Sequence, residues 1–424
     1  MAEWLCSGLQ SRLRRFDSGF SLHYLLEMIS LKNILGREES LFQSDLNSRE
    51  REITQIVQES NFLVIGAAGS IGSAVTKEIF QRNPKVLHCI DINENNLVEL
   101  VRDIRSEYGY ISGDFKSFVL DIGSDYFSHF MRNQKCYDFI LNLSALKHVR
   151  SEKDLYSLLR MIDTNIFYTE ESINLSIENK CKNYFCVSSD KAANPANIMG
   201  ASKRLMENVL YKYSKEINIS SARFANVAFS NGSLLSGFIS RINKRQPLSG
   251  PNDIERYFIS HAESGELCLL SALFGIDLDI FIPKISAKLP PMKFDYLAEK
   301  VLSAYGYESY FCDSEDEARS KLNELVSKNK WPCFFSASNT TGEKMLEEFV
   351  TSTDQIDSIS FHSIDVIKKN KEIDSSGFQQ FKDVITSLKK GKKALTKDAI
   401  IDAIIKAVPS LQYEDKGTTL EDKM

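Results

Sequence analysis

Residues 188–204, with the sequence SSDKAANPANIMGASKR, bring together groups that can exchange protons. Ser189, Asp190 and Lys191 come directly after an apolar run of the kind that forms a buried strand. A hydroxyl, a carboxylate and an ammonium at one strand end are suited to general acid–base chemistry. Asp190 could instead cap the turn or helix that follows the strand. We predict that Ser189, Asp190 and Lys191 are catalytic.

A helix is predicted to begin near Asn197 and to carry Met199 and Lys203. Residues four apart lie on one face of a helix, so Met199 and Lys203 should face the same site. The thioether of Met199 cannot serve as a base, although it is well suited to packing. A base is therefore expected elsewhere, and the adjacent Asp190 and Lys191 are the candidates. We count Met199 and Lys203 among the predicted catalytic positions.

The run FLVIGAAGSIGSAV places Gly66, Gly69 and Gly72 between a predicted strand and a predicted helix. Such glycines permit a tight turn and let backbone amides approach a pyrophosphate at the amino end of a helix. Asp91 closes the next predicted strand, where its carboxylate can accept hydrogen bonds from an adenosine ribose. This charge favours NAD, although a cation in a nearby loop would admit NADP.

Further polar side chains follow the third, fourth and sixth predicted strands, and ligands bind at this carboxyl edge of parallel sheets. Asp121 either contacts the adenine end of the cofactor or caps the helix that begins near Ser124. The predicted cofactor contacts are Gly66, Gly69, Ser70, Ile71, Gly72, Asp91, Asp121, Ile122, Ser144, Ala145 and Lys203. The other polar groups at these strand ends are Lys147, His148, Arg223, Asn226 and Ser233.

The elements that must position these groups alternate between strands and helices from residue 61 onward. The predicted strands are 61–65, 85–90, 117–120, 137–143, 183–188 and 221–224. Near-continuous apolar strands separated by helices predict an α/β fold with a doubly wound, Rossmann-like parallel sheet. We predict a helical extension over 1–58, an NAD-binding domain over 59–230, a smaller substrate-binding subdomain over 231–370 and a helical tail over 371–424. Within the subdomain, residues 305–330 are predicted to form a helical insertion or dimer arm.

Composition restricts the class of protein. The net charge of −5 gives no argument for binding nucleic acid. The eight cysteines include no C-x-x-C pair, which favours buried thiols in the reducing cytoplasm over disulfides or a metal site. No apolar run reaches the roughly 18 residues that a membrane span requires, and we predict a cytoplasmic protein without a span.

Several segments occur in an order that resembles a known family. They are GAAGSIGS, ALKHV, SSDKAANPANIMGASKR, RFANV, RYF and TTGEKMLEEF. The chain is similar over about 55–290 and again over about 335–350 to nucleotide-sugar 4,6-dehydratases, the polysaccharide-biosynthesis branch of the extended short-chain dehydrogenases. Some members carry tyrosine at the position of Met199. The chain resembles the other type, which carries methionine and includes larger members with membrane-spanning amino-terminal halves.

The resemblance implies a redox-neutral reaction on a sugar such as UDP-N-acetylglucosamine. Bound NAD, kept tightly and recycled, oxidises C4, water leaves across C5 and C6, and the hydride returns to C6. Ser189 then binds the C4 hydroxyl, Asp190 acts as acid at the C6 hydroxyl, and Lys191 acts as base at C5. Lys203 holds the nicotinamide ribose. The C4 proton could leave to Asp190 or, through water, to Lys191.

The resemblance also implies the substrate contacts Lys147, His148, Asn226, Ser233, Arg256 and Glu343. Alternatives remain for four of them: Lys147 as a surface charge, His148 as a structural histidine, Arg256 as a surface ion pair and Glu343 as an exposed residue at a helix start. The chain departs from the family at Arg150, where a proline is frequent, and at Thr340-Thr341, where Arg-Pro is usual. These changes concern the substrate side.

Two other functions stay open at this point. A nucleotide-sugar epimerase acting at C4 or C5 would use the same oxidised intermediate, although a C4 epimerase would be expected to keep tyrosine at 199. A non-catalytic NAD-binding protein would have no need of Asp190, Lys191 and Lys203. A homo-oligomer, a dimer or larger, is the expectation from the fold alone.

Overall fold

A computed structural model describes residues 34–134, 136–338, 340, 342–368, 375–392 and 394–414. Most of the segment 22–35, with its helical spacing of apolar residues, lies outside this part of the chain. The described residues form a nine-stranded sheet and three small sheets. The strands are β1 Asn61–Ile65, β2 Val86–Asp91, β3 Asp114–Val119, β4 Phe139–Asn142, β5 Asn183–Ser189, β6 Asn218–Phe224, β7 Asn226–Val227, β8 Leu248–Pro251, β9 Glu255–Arg256, β10 Phe258–Ile259, β11 Asp279–Pro283, β12 Met292–Lys293, β13 Glu308–Phe311, β14 Lys330–Ser336, β15 Gln355–Asp357 and β16 Ile364–Lys368.

The large sheet has the strand order β15-β16-β11-β6-β5-β4-β1-β2-β3. Seven neighbouring strands of this sheet, β11-β6-β5-β4-β1-β2-β3, are parallel. Strand β16 pairs antiparallel with β11, and β15 pairs antiparallel with β16 at the edge. The order reverses between β1 and β4, which creates the crevice where doubly wound sheets bind ligands. The predicted α/β fold with a Rossmann-like parallel sheet is confirmed. Its six predicted strands agree with the structure to within three residues at each end.

Helices cover both faces of this sheet, as its apolar central strands require. The helices are α1 Gln43–Glu59, α2 Ser70–Phe80, α3 Glu94–Tyr108, α4 Asp125–Asn133, α5 Leu155–Ile162, α6 Tyr168–Glu178, α7 Ile198–Tyr213, α8 Leu234–Asn243, α9 His261–Phe274, α10 Phe294–Ala304, α11 Glu315–Ser320, α12 Leu322–Ser327, α13 Ser375–Lys389 and α14 Lys397–Ala407. A π-helical turn at Asp163–Phe167 joins α5 to α6. None of the helices in the described part of the chain is long and apolar enough to span a membrane.

A second, smaller core lies beside the large sheet. It packs α8 and α10 against the parallel three-stranded sheet β13-β14-β8, with Phe238, Leu297 and Trp331 fully buried. Residues 305–330 contribute β13, α11 and α12 to this unit, so the prediction of one helical stretch is wrong in part. Strand β13 forms because it pairs with β14, a partner about 20 residues further along the chain. The division into four segments stays a prediction.

The two ends of the described chain pack on the main domain. Ile53 and Val57 of α1 are fully buried in the core that contains β1 and α2. At the other end, α13 and α14 pack against each other and against α7, where Phe381 and Ile404 are buried. Thr396 caps α14, since its hydroxyl accepts from the amide of Ala399. The seven cysteines in the described ranges are free thiols, and all but Cys136 are buried, as predicted.

Candidate active site

The turn between β1 and α2 is built around its glycines. Gly66 has φ +77°, and a Cβ at this position would lie 2.9 Å from the backbone nitrogen of Ser144. A Cβ on Gly72 would lie 2.0 Å from the carbonyl oxygen of Gly66. Gly69 precedes the first residue of α2 in an extended conformation. The turn is thus pressed against the end of β4 and directs the amino end of α2 into the crevice, which fits the pyrophosphate of a dinucleotide.

Asp91 lies beside this turn, at the end of β2. Its Oδ2 accepts from the amide of Ala68 at 2.9 Å, and its Oδ1 accepts from the amide of Asn93 at 2.9 Å. These two backbone donors fix the carboxylate next to the glycine turn at 66–72, which we call the cradle. This is the position that the sequence predicts for binding an adenosine ribose. On the cofactor side, the residues of the chain therefore fit an NAD molecule.

Asp121 is bound within its own loop and to Arg160, and it does not cap the helix that follows. Its Oδ1 accepts from the amide of Gly123 at 3.0 Å, and its Oδ2 pairs with Arg160 at 2.9 Å. The cap of α4 is the side chain of Ser124, not that of Asp121. Ile122 is buried, and Ser144 donates its amide to the buried side chain of Asn142. Adenine contacts by Asp121 and Ile122 and cofactor contacts by Ser144, Ala145 and Ile71 stay predictions.

The three predicted catalytic side chains at the end of β5 are joined by hydrogen bonds. Oγ of Ser189 donates to Oδ1 of Asp190 at 2.8 Å, and Nζ of Lys191 donates to the same oxygen at 3.0 Å. The amide of Lys191 also donates to this oxygen at 2.9 Å. Asp190 is only 3% exposed, so its charge is held by these donors and not by water. The arrangement forms a continuous path from a hydroxyl through a carboxylate to an amine.

A residue that sequence reasoning missed lies beside this path. Oε1 of Glu347 is 3.8 Å from Nζ of Lys191 and 3.8 Å from Nη2 of Arg256. Glu347 is 4% exposed and Arg256 is 4% exposed, so the alternative of a surface ion pair for Arg256 is wrong. The sequence shows Glu347 only as one of two adjacent acids, Glu347 and Glu348, that follow Glu343 in GEKMLEEF, and nothing local marks it as buried. Burial raises the pKa of the Glu347 carboxyl, Lys191 opposes that rise, and Asp190 adds to it.

Helix α7 carries Met199 and Lys203 as predicted, and Asn197 is its cap. Met199 is 2% exposed and packs in the apolar core. Its backbone amide donates to Oε1 of Glu152, a buried carboxylate, at 2.8 Å. Nζ of Lys203 donates to the carbonyl oxygen of Val187 at 3.0 Å, and burial lowers the pKa of this ammonium. A contact from Lys203 to a cofactor ribose stays a prediction.

Lys147 and His148 face the loop that precedes α8. Both are exposed to solvent, and Nζ of Lys147 donates to Oγ of Ser230 at 3.2 Å. The surrounding protein atoms nevertheless lower the pKa of the Lys147 ammonium by desolvation. Desolvation also lowers the pKa of His148, whose ring would touch a Cβ on Gly232 at 2.8 Å. Contact with substrate by Lys147 and His148 stays a prediction, as do a surface charge for Lys147 and a structural role for His148.

The other polar residues predicted at the strand ends or in contact with substrate have different environments. Nδ2 of Asn226 is buried and has no hydrogen-bond partner among the described residues, which leaves it available to a ligand. Ser233 caps α8 with its hydroxyl. Oε2 of Glu343 accepts from Oγ1 of Thr340 at 2.7 Å in a segment without helix, so the alternative of a helix start is wrong. Arg223 faces the core, where it pairs with Glu207 at 2.9 Å.

Comparison with known proteins places the chain in a family. Residues 62–369 match the model of the family described as polysaccharide biosynthesis protein. An uncharacterized membrane protein of Methanocaldococcus jannaschii is 29% identical over 264 residues, which are 61% of this chain and 76% of that protein. The capsular polysaccharide biosynthesis protein CapD of Staphylococcus aureus is 26% identical over 66% of this chain, and the match spans only 46% of CapD. An inverting UDP-N-acetylglucosamine 4,6-dehydratase of Campylobacter jejuni is 28% identical over 56% of this chain and 70% of that enzyme.

Solved structures share the fold. One is Pen from Bacillus thuringiensis, with a TM-score of 0.61 and 23% identity over 75% of this chain and 90% of that chain. Another is a UDP-N-acetylglucosamine 4-epimerase from Methanobrevibacter ruminantium, with a TM-score of 0.51 and 17% identity over 70% of this chain and 90% of that chain. The family match includes the glycine turn at 66–72, the segment 188–204 and Glu343, and on that evidence the chain belongs to the polysaccharide biosynthesis protein family.

Proposed function

We propose that the protein is an NAD-dependent nucleotide-sugar 4,6-dehydratase that acts on a UDP-linked N-acetylhexosamine, such as UDP-N-acetylglucosamine. The observation that carries the proposal is the hydrogen-bonded path from Ser189 through Asp190 to Lys191 at the strand end beside the cradle. A dehydration needs both an acid and a base, whereas oxidation at C4 alone needs only a base. The similarity to the Campylobacter jejuni dehydratase supports the same reaction.

NAD bound in the cradle would supply the acceptor and the later donor of the hydride that C4 loses and C6 regains. The glycine turn and Asp91 would hold its phosphates and its adenosine ribose, and Lys203 its nicotinamide ribose. NADP remains the alternative cofactor. A redox-neutral cycle requires that the cofactor stays bound, so tight binding is part of the proposal.

The first proton leaves the C4 hydroxyl. Met199 cannot accept it, but a C4 hydroxyl that donates to Ser189 can pass its proton through Oγ to Asp190, since Oγ already donates to Oδ1. Asp190 thereby becomes a carboxylic acid. In this route Ser189 and Asp190, which are already hydrogen-bonded, take the place of a base at position 199.

The next three proton transfers use Asp190 and Lys191. Lys191, as a neutral amine, takes the proton from C5, which the adjacent ketone has made acidic. Asp190 gives its proton to the C6 oxygen, which leaves as water, and Lys191 returns the C5 proton after hydride has reached C6. The proton taken from the C4 hydroxyl thus departs in the water, and the enzyme ends with the protons it began with.

The substrate side of the cleft is proposed to bind the diphosphate. Asn226 offers a buried amide donor, Arg256 offers Nη2, and Lys147 offers an ammonium at the cleft wall. His148, Ser233 and Glu343 would border the sugar nucleotide. We also propose that the protein works in the cytoplasm as a homo-oligomer.

The proposal is tested by incubating purified, NAD-loaded protein with UDP-N-acetylglucosamine and then with other UDP-, GDP- and dTDP-sugars. Dehydration predicts product that has lost the mass of one water with no net accumulation of reduced nicotinamide. Asp190→Asn and Lys191→Ala should stop the loss of water while NAD stays bound. Near-normal turnover in either variant would contradict the assigned site.

A nucleotide-sugar epimerase is the second candidate, because a UDP-glucose 4-epimerase of Rickettsia canadensis is 25% identical over 54% of this chain. It predicts product of unchanged mass with inverted stereochemistry at C4 or C5. Absence of turnover over the whole sugar panel would contradict both enzymatic functions and favour a non-catalytic NAD-binding protein.

A further inference from the structure

Glu347 occupies a point between two cations of the candidate site. It comes from the segment after β14, far in sequence from β5 and β9, yet its Oε1 is 3.8 Å from both Lys191 Nζ and Arg256 Nη2. Like Asp190, it is almost completely buried. Burying a carboxylate costs free energy even when it lies between two cations. A role for its charge or its proton would account for its burial here.

The proposed reaction requires Lys191 to lose its ammonium proton, and the acceptor of that proton has still to be assigned. Lys191 must be a neutral amine before it can take the C5 proton, but its ammonium donates to Asp190 in the structure. Once Asp190 has received the C4 proton, it can no longer accept one from Lys191. Glu347 is the second carboxylate that lies within ion-pair distance of Lys191 in the described part of the chain.

We propose that Glu347 accepts the ammonium proton of Lys191 and so converts Lys191 into the neutral amine that acts at C5. An N–H bond of Lys191 breaks, an O–H bond of Glu347 forms, and an ion pair becomes a neutral pair with no change in total charge. Glu347 acts through Lys191 and is a positioning residue. The inference rests on the proposed dehydratase function.

The groups that face Glu347 explain why this transfer is favoured with substrate bound. Burial raises the pKa of Glu347, and the carboxylate of Asp190 adds to the rise until Asp190 takes the C4 proton, whereas Lys191, Arg256 and Lys344 oppose it. If the diphosphate of the substrate takes the guanidinium of Arg256, one of those opposing cations is neutralised. Substrate binding would therefore favour the protonated form of Glu347 and the free amine of Lys191.

The test compares Glu347→Gln with Glu348→Gln in the NAD-loaded full chain. Glu348 is the matched control because it is adjacent, exposed and bonded instead to Asn194 Nδ2 at 2.7 Å. With UDP-N-acetylglucosamine in deuterium oxide, Glu347→Gln should lower C5 exchange and water loss about 100-fold, while initial oxidation at C4 stays near the wild-type rate. Its residual rate should rise about tenfold per pH unit, because Lys191 must then lose its proton to solvent. Glu348→Gln should match wild type.

Glu347→Asp keeps a carboxylate and provides a second reading if the glutamine variant folds poorly, since it should retain more C5 exchange than Glu347→Gln. C5 exchange in Glu347→Gln near the wild-type rate, or a loss that is the same at every pH, would overturn the inference and leave the dehydratase proposal standing. Failure of wild-type protein to release water from any sugar would overturn both.

Discussion

The backbone amide of Met199 donates a 2.8 Å hydrogen bond to Oε1 of Glu152, a carboxylate that is only 5% exposed. Glu152 ends the short helical turn Val149–Glu152 that follows Lys147 and His148. The bond satisfies an amide in the first turn of α7 and sets a negative charge against the positive end of the helix dipole. It thereby ties the loop after β4 to the helix that carries Lys203.

Replacing Glu152 by alanine should destabilise the protein by about 1.5–3 kcal/mol, the usual contribution of a hydrogen bond to a charged group. Equilibrium unfolding in urea measures this change in the free energy of unfolding. Glu216→Ala is the control, because Glu216 is exposed beyond the end of α7 and should change stability by less than about 0.5 kcal/mol. Equal stability of the two variants would show that the Met199 amide does not depend on Glu152.

Met199 should be replaceable by another apolar side chain of similar volume. Met199→Leu is expected to cost less than about 1.5 kcal/mol of stability and to keep turnover of the wild-type order, because the side chain packs in the core and takes no proton. Met199→Tyr should cost about 1–3 kcal/mol, since it adds volume and a hydroxyl to a filled space. Thermal unfolding and product formation are measured on both. Loss of turnover in a stably folded Met199→Leu protein would mean that the sulfur takes part in the reaction.

Much of the cofactor half could be predicted from the sequence because its signals are local. The glycine spacing, Asp91 and the caps Asn197 and Thr396 all act within a few residues of themselves. By contrast, Glu152 lies 47 residues from Met199 and Glu347 lies 156 residues from Lys191. A carboxylate in a charged stretch carries no sign of where the fold will bury it. Strand β13 was missed for the same reason, since its pairing with β14 is not a local property.

Replacing Gly66 or Gly109, which both have positive φ, distinguishes the cost of backbone strain from the effect of a steric clash. Both have similar angles, +77° and +74°, but a Cβ on Gly66 would press on the end of β4, whereas a Cβ on Gly109 would meet open space. Gly109→Ala should cost only the local backbone strain of about 1–3 kcal/mol and leave NAD binding unchanged. Gly66→Ala should reduce NAD affinity at least about tenfold, because the turn must move away from the pyrophosphate. Calorimetric titration with NAD measures this, and equal affinity in both variants would place the cofactor elsewhere.

The ionisation of Glu207 should make the free energy of unfolding decrease at acid pH. Burial alone would raise its pKa, but Arg223, which grips both carboxylate oxygens at 2.9 Å, lowers the pKa of Glu207 to about 2. Because the pKa is depressed in the folded state, this carboxylate stabilises the protein above its unfolded pKa of about 4.3, and the contribution is lost as pH falls toward 2. At about 1.4 kcal/mol per pKa unit, the loss is on the order of 3 kcal/mol.

Urea unfolding at a series of pH values measures that dependence, and Glu207→Gln should flatten it while destabilising the protein at neutral pH by about 3–5 kcal/mol, because Arg223 is left buried without its partner. Glu178→Gln breaks an exposed ion pair with Arg132 at 3.3 Å and is the control, with an expected change below about 1 kcal/mol. If Glu207→Gln retained the acid dependence of the wild type, other carboxylates would have to account for it. If it were as stable as Glu178→Gln at neutral pH, the buried pair would not hold α7 to β6.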